Sequence, residues 1–403
     1  MTDLSVDAPI LASRPSPALG INVIVSVTAT ALLLAGALAL AELVSRRQGA
    51  LYLLGGALGV TLYHALFGFT SAWRIFISDR RGVGLRAQMI MLALAVLLFF
   101  PSLAAGKLFG QPVHGEYGAV GIGMLTGAFL FGVGMQLGGG CASGTLYSAG
   151  GGNTRMLVTL AAFIAGSTLG ARDLPWWSAQ PNIGTVSLID DLGWVAAAAL
   201  NLAVIACIYL LTVRLERARH GALVPGAITT NRGWRRLVQG PWPLSAGAIA
   251  LALGNFATLY LAGRPWGITS ALALWGSKII AVFGIDVASW PYWQGARAAS
   301  LQQPLFYDVT TVMDFGIMVG ALLAAGLSGK FHPQWRIEPL SLFGACVGGL
   351  LLGYGARLAY GCNIGAYFSG IASGSLHGWC WLVAAFIGGI LGTRLRPLFG
   401  LSV

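Results

Sequence analysis

Long apolar runs alternate along this chain with short polar or basic breaks. Residues 20–44 contain no Lys or Arg and a single acidic residue, Glu42. Residues 87–106, 193–213 and 243–263 carry no charge at all, and 379–393 form a shorter apolar run near the end. A helix of about 20 residues crosses the hydrocarbon core of a bilayer. The runs therefore predict membrane-spanning helices, roughly eight to ten over this length of chain.

Composition strengthens that reading. The 403 residues are 56% hydrophobic and only 9% charged, against about 25% charged in a soluble domain. The net charge of +11 does not point to nucleic acid, because no stripe of basic and aromatic residues accompanies it. The basic residues instead cluster between apolar runs, at Arg46-Arg47, at Arg80, Arg81 and Arg86, and from Arg214 to Arg236. Cytoplasmic loops carry this excess. Residues 215–241, the most polar stretch, read as a basic cytoplasmic linker between two membrane repeats, 20–214 and 242–403. The loop at 173–192 holds Asp173, Asp190 and Asp191 with no basic residue and is expected outside. Residues 1–19 form an N-terminal tail without a basic n-region or a cleavage motif, so no cleaved signal peptide is expected. Arg14 precedes the first run and Arg46-Arg47 follow it, which places the N-terminus outside.

The two halves repeat each other. Gly132-x-Gly134-x-x-Leu137-x-x-Gly140-Cys141-x-x-Gly144 matches Gly353-x-Gly355-x-x-Leu358-x-x-Gly361-Cys362-x-x-Gly365 without a gap. An aromatic and a serine follow in each (Tyr147-Ser148, Phe368-Ser369), then Ala161-Ala162-Phe163-Ile164 and Ala384-Ala385-Phe386-Ile387. Upstream, Phe67-Gly68-Phe69-Thr70-Ser71-Ala72 resembles Trp266-Gly267-Ile268-Thr269-Ser270-Ala271. Repeats with interrupted helices at corresponding positions are a common construction of transporters, whose sites lie near the midplane. The 58 glycines concentrate around 132–152 and 344–378, and broken backbone at membrane depth needs a protein-lined cavity. The expected fold class is all-α: a polytopic integral membrane protein of two pseudo-symmetric repeats, with broken or re-entrant helices at four glycine-rich loops, near 68, 141, 267 and 362.

Candidate chemistry centres on Cys141 and Cys362. Gly140 and Gly144, like Gly361 and Gly365, leave each thiol unshielded and permit tight backbone turns. A helix start at this point would aim free N–H groups at an anion. A thiol, a weak donor and soft acceptor, complements a sulfur-bearing anion better than a hydroxyl does. Cys207, Cys346 and Cys380 sit in plain apolar surroundings and read as packing residues. No C-x-x-C spacing is present, and the odd count of five argues against a disulfide framework. No His or Lys lies within eight residues of either motif cysteine, so activation of a thiolate nucleophile has little support. Arg357 is the nearest cation to Cys362, and Gln136 is its counterpart. An intramembrane Arg usually faces an interior cavity, although one near a helix end can snorkel instead. No Walker A, metal-ligand or haem motif appears, and no cofactor is expected. Asp308 and Asp314 are the carboxylates that could bear on coupling.

With the duplicated cysteine motif in view, the chain resembles the YeeE/YedE family of bacterial membrane proteins, from about residue 50 onward. The resemblance implies a multi-pass protein of the bacterial inner membrane that carries thiosulfate or a related small sulfur-containing anion. In that family the anion passes between cysteine thiols by S–H···S hydrogen bonding without covalent capture, which here implies Cys141 and Cys362. The surrounding candidates for substrate contact are Gly140, Gly144, Gly361, Gly365, Gln136, Arg357, Gly68, Thr70, Gly267 and Thr269. A cytoplasmic sulfur-carrier or sulfurtransferase protein is a possible partner, beside the lipid bilayer itself. In one respect this chain departs from the family. Phe67-Gly68-Phe69-Thr70-Ser71-Ala72-Trp73-Arg74 places Gly68 where the family often has a third cysteine. Two alternatives remain at this point: a membrane sulfurtransferase or redox enzyme with a cysteine nucleophile, and a transporter of another sulfur or selenium compound.

Overall fold

A computed structural model describes residues 20–225 and 231–403. The N-terminal tail 1–19 and residues 226–230 of the linker lie outside the described residues. The chain is helical almost throughout, as its apolar runs require. Its helices are α1 (Val23–Leu43), α2 (Arg46–His64), α3 (Phe69–Asp79), α4 (Val83–Ala104), α5 (Ile122–Gly138), α6 (Ala142–Gly150), α7 (Thr154–Ser178), α8 (Leu188–Leu192) and α9 (Trp194–His220). After the linker come α10 (Gly233–Gln239), α11 (Leu244–Ala262), α12 (Thr269–Val282), α13 (Ala298–Gln302), α14 (Val309–Leu327) and α15 (Pro339–Leu358). A π-helix at Asn363–Ser369 continues into α16 (Gly370–Ala372), and α17 (Leu376–Leu395) completes the set. Among the described residues, 10 helical segments are long and apolar enough to cross a membrane. Two of these segments, Arg46–Asp79 and Ile122–Gly150, contain the glycine breaks of the first half.

Helix starts follow local chemistry. Asn22 Oδ1 accepts from Val25 N at 3.2 Å, Ser45 Oγ from Gln48 N at 3.2 Å and Asp308 Oδ2 from Thr311 N at 2.7 Å, each satisfying an N–H that the first turn leaves free. Between helices lie one small hairpin and one two-stranded pairing of distant segments. β1 (Lys107–Leu108) pairs antiparallel with β2 (Gln111–Pro112). β3 (Ala119–Gly121) pairs antiparallel with β4 (Asn182–Thr185), with Ala119 opposite Thr185 and Gly121 opposite Asn182.

The principal helix contacts run between the halves. α2 packs on α14, α4 on α11, α5 on α17 and α7 on α15. Glycines make these approaches possible: a Cβ on Gly59 would overlap the backbone of Ile317, and one on Gly353 the backbone of Phe163. Small residues at membrane helix interfaces serve this purpose. Much of the glycine clustering at 132–138 and 344–355 therefore lies inside α5 and α15 as contact surface, and the breaks themselves are confined to a few residues. α1 and α9 are largely exposed along their lengths, as helices bordering lipid would be.

The helix ends correct one expectation. Trp242 N donates to His64 O at 2.8 Å, so α2 ends where the linker delivers the chain to α11. His64 also feels the charge of Lys330, just beyond α14. Asn22 N donates to Gly326 O at 2.8 Å, so α1 begins at that same end of α14. The start of α1 thus shares a face with the basic linker, and Arg46-Arg47 lie on the other, where Gln48 Nε2 donates to Tyr307 O at 2.8 Å. A cytoplasmic linker puts residue 22 inside as well. An outside N-terminus and a cytoplasmic linker therefore cannot both hold, since the start of α1 and the linker lie on one face.

Candidate functional site

All four glycine breaks start helices, and all four meet. Cys141 is the N-cap of α6, and its Sγ accepts from Gly144 N at 3.4 Å and lies 3.3 Å from Ser143 Oγ. Cys362 is the N-cap of the π-helix, and its Sγ accepts from Ile364 N at 3.4 Å. Both thiols are buried, at 1% and 0% exposure, and α6 packs against the π-helix. Gly68 is the N-cap of α3, and Gly267 precedes Ile268, the N-cap of α12. Phe69 lies edge-on to Tyr367 of the π-helix, with ring centres 6.3 Å apart. A π-helix is uncommon and tends to mark functional positions.

The motif glycines divide into two kinds. A Cβ on Gly140 would crowd Gly144 C and Thr145 N at 3.1 Å, and one on Gly361 would press to 2.8 Å from Ala366 N. These two are glycine because the turn is tight. A Cβ on Gly144 would touch only Cys141 Sγ, at 3.5 Å. One on Gly365 would meet only Gly267 Cα, at 3.9 Å, and one on Gly267 would meet nothing within 4 Å. These three are glycine beside open space, next to the thiols.

Gln136 and Arg357 reach to corresponding places. Gln136 Nε2 donates to Thr70 O at 3.3 Å, and Arg357 Nη2 donates to Thr269 Oγ1 at 3.0 Å. Arg357 also donates through Nη1 to Tyr292 Oη, and its guanidinium lies 5.6 Å from that ring's centre. At 7% exposure it is interior and does not snorkel. Among the described residues its Nε has no partner, nor do Gln136 Oε1 and Thr70 Oγ1. Beside Gly68 a cavity of about 190 Å³ opens, lined also by Ser71, Arg81 and Gln88. No thiol stands there. A Cβ on Gly68 would lie 3.7 Å from Tyr147 Oη, so even the loop without a cysteine borders the Cys141 helix.

The other three cysteines are less buried than the motif pair. Cys207 is exposed, and Cys346 and Cys380 are partly buried. Lys278 donates to Leu301 O at 2.6 Å and to Gln303 O at 2.8 Å, holding a loop. Sequence reasoning missed Asn363, whose fully buried amide has no partner at either end among the described residues, and Tyr367, whose hydroxyl is likewise unpartnered among them. The available signal for Asn363 was a break in the repeat: Ala142 follows Cys141, but an amide follows Cys362. It also missed Asn255, a polar residue in an apolar run. Its Oδ1 accepts from Trp266 N at 2.8 Å, and its Nδ2 donates to Ser369 Oγ at 3.1 Å. Ser369 Oγ in turn donates to Trp266 O at 2.8 Å, which ties the Gly267 loop to the π-helix.

Buried amides, hydroxyls and backbone N–H groups, together with two thiols and one interior guanidinium, make a surface suited to a small soft anion. Comparison with known proteins agrees. Over 350 residues the chain is 26% identical to the thiosulfate transporter TsuA of Spirochaeta thermophila, covering 81% of this chain and 92% of that protein. It is 23% identical over 352 residues to TsuA of Escherichia coli K12, covering 83% of this chain and 90% of that one. A stretch of 157 residues is 31% identical to the probable transporter YedE of E. coli K12. That match spans only 38% of YedE's length and 38% of this chain. The profile of the sulphur transport family matches residues 64–391, most of the chain with all four glycine loops inside it, and the chain is a member of that family.

Proposed function

We propose that this protein carries thiosulfate, or a related small sulfur-containing anion, across the bacterial inner membrane by passing it between Cys141 and Cys362 without covalent capture. The observation that carries the reading is the pairing of two buried thiols, each at the start of a short broken helix and each beside a glycine that faces open space. The anion's terminal sulfur would meet an S–H group. Its oxygens would meet backbone N–H groups at the helix starts, where the helix dipole favours negative charge. A dianion at the bilayer centre needs such donors in place of its water.

The repeat completes the path. α2 runs toward the linker face and α11, its counterpart in the repeat, runs away from it. The two halves are then inverted copies, and their cysteine loops approach from opposite faces. Alternate faces of one site are what a carrier of this construction requires.

Transport is favoured over thiol chemistry by the surroundings of the thiols. Cys141 contacts Ser143 and Gly144, and Cys362 contacts Ile364 N; no His, Lys or Arg hydrogen-bonds to either. A nucleophilic thiolate needs such a neighbour. With Gly68 at the third position, the relay here has two thiols, and the Gly68 cavity hands the anion over through polar side chains. A cytoplasmic sulfur-carrier or sulfurtransferase protein would receive it there. The deciding experiment is uptake of labelled thiosulfate by cells that lack their own sulfur-anion importers and express this chain. Uptake and growth on thiosulfate are expected; growth without uptake would remove support for the reading.

A further inference from the structure

α14 carries a carboxyl that the relay does not use. Asp314 is fully buried, and among the described residues neither of its oxygens has a hydrogen-bond partner. Its position along α14 is informative. Thr310, Asp314 and Met318 recur every four residues and so share one face of the helix. At the outer end of this stripe, Thr310 Oγ1 lies 3.1 Å from Ser270 Oγ, at the start of α12. At its inner end, the backbone of Met318 lies against Gly150 of α6. Asp314 stands between these contacts, midway between a broken helix of each half.

Arg264 Nη2 donates to Thr310 Oγ1 at 2.9 Å, one turn from Asp314, α1 adds only Glu42 near its end, and Arg236 of α10 donates to Pro241 O, but among the described residues no donor or cation reaches either carboxyl oxygen of Asp314. Asp308, at the start of the helix, is the carboxylate whose charge reaches it. On α12, Lys278 is engaged by two loop carbonyls. On α2, Arg46 and Arg47 open the helix, well before Gly55 meets Met313, and His64 lies at the far end beside Lys330. α6 offers the Tyr147 hydroxyl and no cation. An ionised carboxylate in such a setting is very unfavourable, whereas a protonated one is tolerated and can donate a hydrogen bond.

We infer that Asp314 is a proton-binding site that couples anion passage to proton entry. This rests on the transport reading above. A proton from the outer side adds to the carboxylate and so removes a buried negative charge that would repel the anion. The proton then leaves to the inner side as the anion does. One proton moves inward per anion, and no other bond changes.

The test uses the full chain in proteoliposomes with labelled thiosulfate. The wild type should exchange thiosulfate at equal pH and accumulate it when the outside is made acid. Asp314→Asn should retain exchange but lose accumulation, and Asp314→Glu should keep both. Wild-type vesicles that exchange but gain nothing from the gradient would overturn the coupling and leave transport standing. Vesicles that do not exchange at all would overturn both. Gradient-driven accumulation by Asp314→Asn would also overturn the assignment. Independently of cargo, the wild type should show a buried carboxylic-acid band in the infrared at neutral pH that Asp314→Asn lacks; absence of that band from the wild type overturns the proposal.

Discussion

Arg357 Nη2 donates to Thr269 Oγ1 at 3.0 Å, joining the helix that leads to Cys362 with the helix that begins beside Gly267. In the first half Gln136 makes the corresponding reach, to Thr70 O at 3.3 Å. The same architectural link is therefore charged in one half and neutral in the other. On the transport reading proposed above, the anion would meet a cation on the Arg357 side and a neutral amide on the Gln136 side.

Arg357→Gln copies the first-half residue and should leave the protein folded. A hydrogen bond to a charged group contributes about 1.5–3 kcal/mol. Apparent affinity for thiosulfate should accordingly fall by roughly ten- to a hundredfold, with some transport surviving at high substrate. Initial uptake rates against concentration, measured at low salt, decide this. Unchanged affinity would make Arg357 a packing residue held by Tyr292.

Cys141→Ser and Cys362→Ser exchange a soft group for a hard one of similar shape. Each should lower thiosulfate uptake by roughly tenfold or more, equivalent to about 1.4 kcal/mol. Cys207→Ser, Cys346→Ser and Cys380→Ser should leave uptake near the wild-type level. Parallel uptake assays normalised to the amount of protein in the membrane compare all five. Wild-type rates from both Cys141→Ser and Cys362→Ser would sink the relay.

The two kinds of glycine predict two kinds of defect. Gly361→Ala drives a methyl group against Ala366 N, and overpacking of this sort costs typically about 1–3 kcal/mol. It should lower the thermal midpoint in detergent. Gly365→Ala and Gly144→Ala place the methyl group in open space, so the midpoint should hold while transport falls. Thermal unfolding and uptake, measured on the same preparations, separate the classes. A destabilised Gly365→Ala would remove that glycine from the passage lining.

Much of this was legible in the sequence because membranes simplify the physics. Apolar runs must become helices, and glycine duplicated around a cysteine marks where they break. The four breaks fall at the expected loops for that reason. That the start of α1 shares a face with the linker was hidden from the sequence, because only the contact of Asn22 with Gly326 reveals it. Asn363 and Tyr367 stayed hidden because nothing in a single residue type announces burial without a partner. The role of many glycines in 344–355 was misjudged, since close helix contact and helix breaking leave the same composition.

Glu116 gives the outer side a pH dependence. It lies in the loop before α5, partly buried, and its N–H donates to Ser373 Oγ at 2.8 Å. Burial pushes its carboxyl above the usual carboxylate range, against the opposing pull of Arg264, His114, Arg357 and Arg297. A carboxyl raised in this way favours the folded state most below the ordinary carboxylate range, and that contribution is lost as pH rises through the raised value. In the same window Glu116 gains a negative charge beside cations that would otherwise attract the incoming anion. Apparent affinity at the outer face should thus weaken as pH rises, and Glu116→Gln should be tighter at neutral pH and indifferent to pH across that window. Affinity measured over a pH series at equal pH on both sides isolates this effect from any gradient-driven accumulation through Asp314. A pH profile that persists unchanged in Glu116→Gln would assign the dependence to another group.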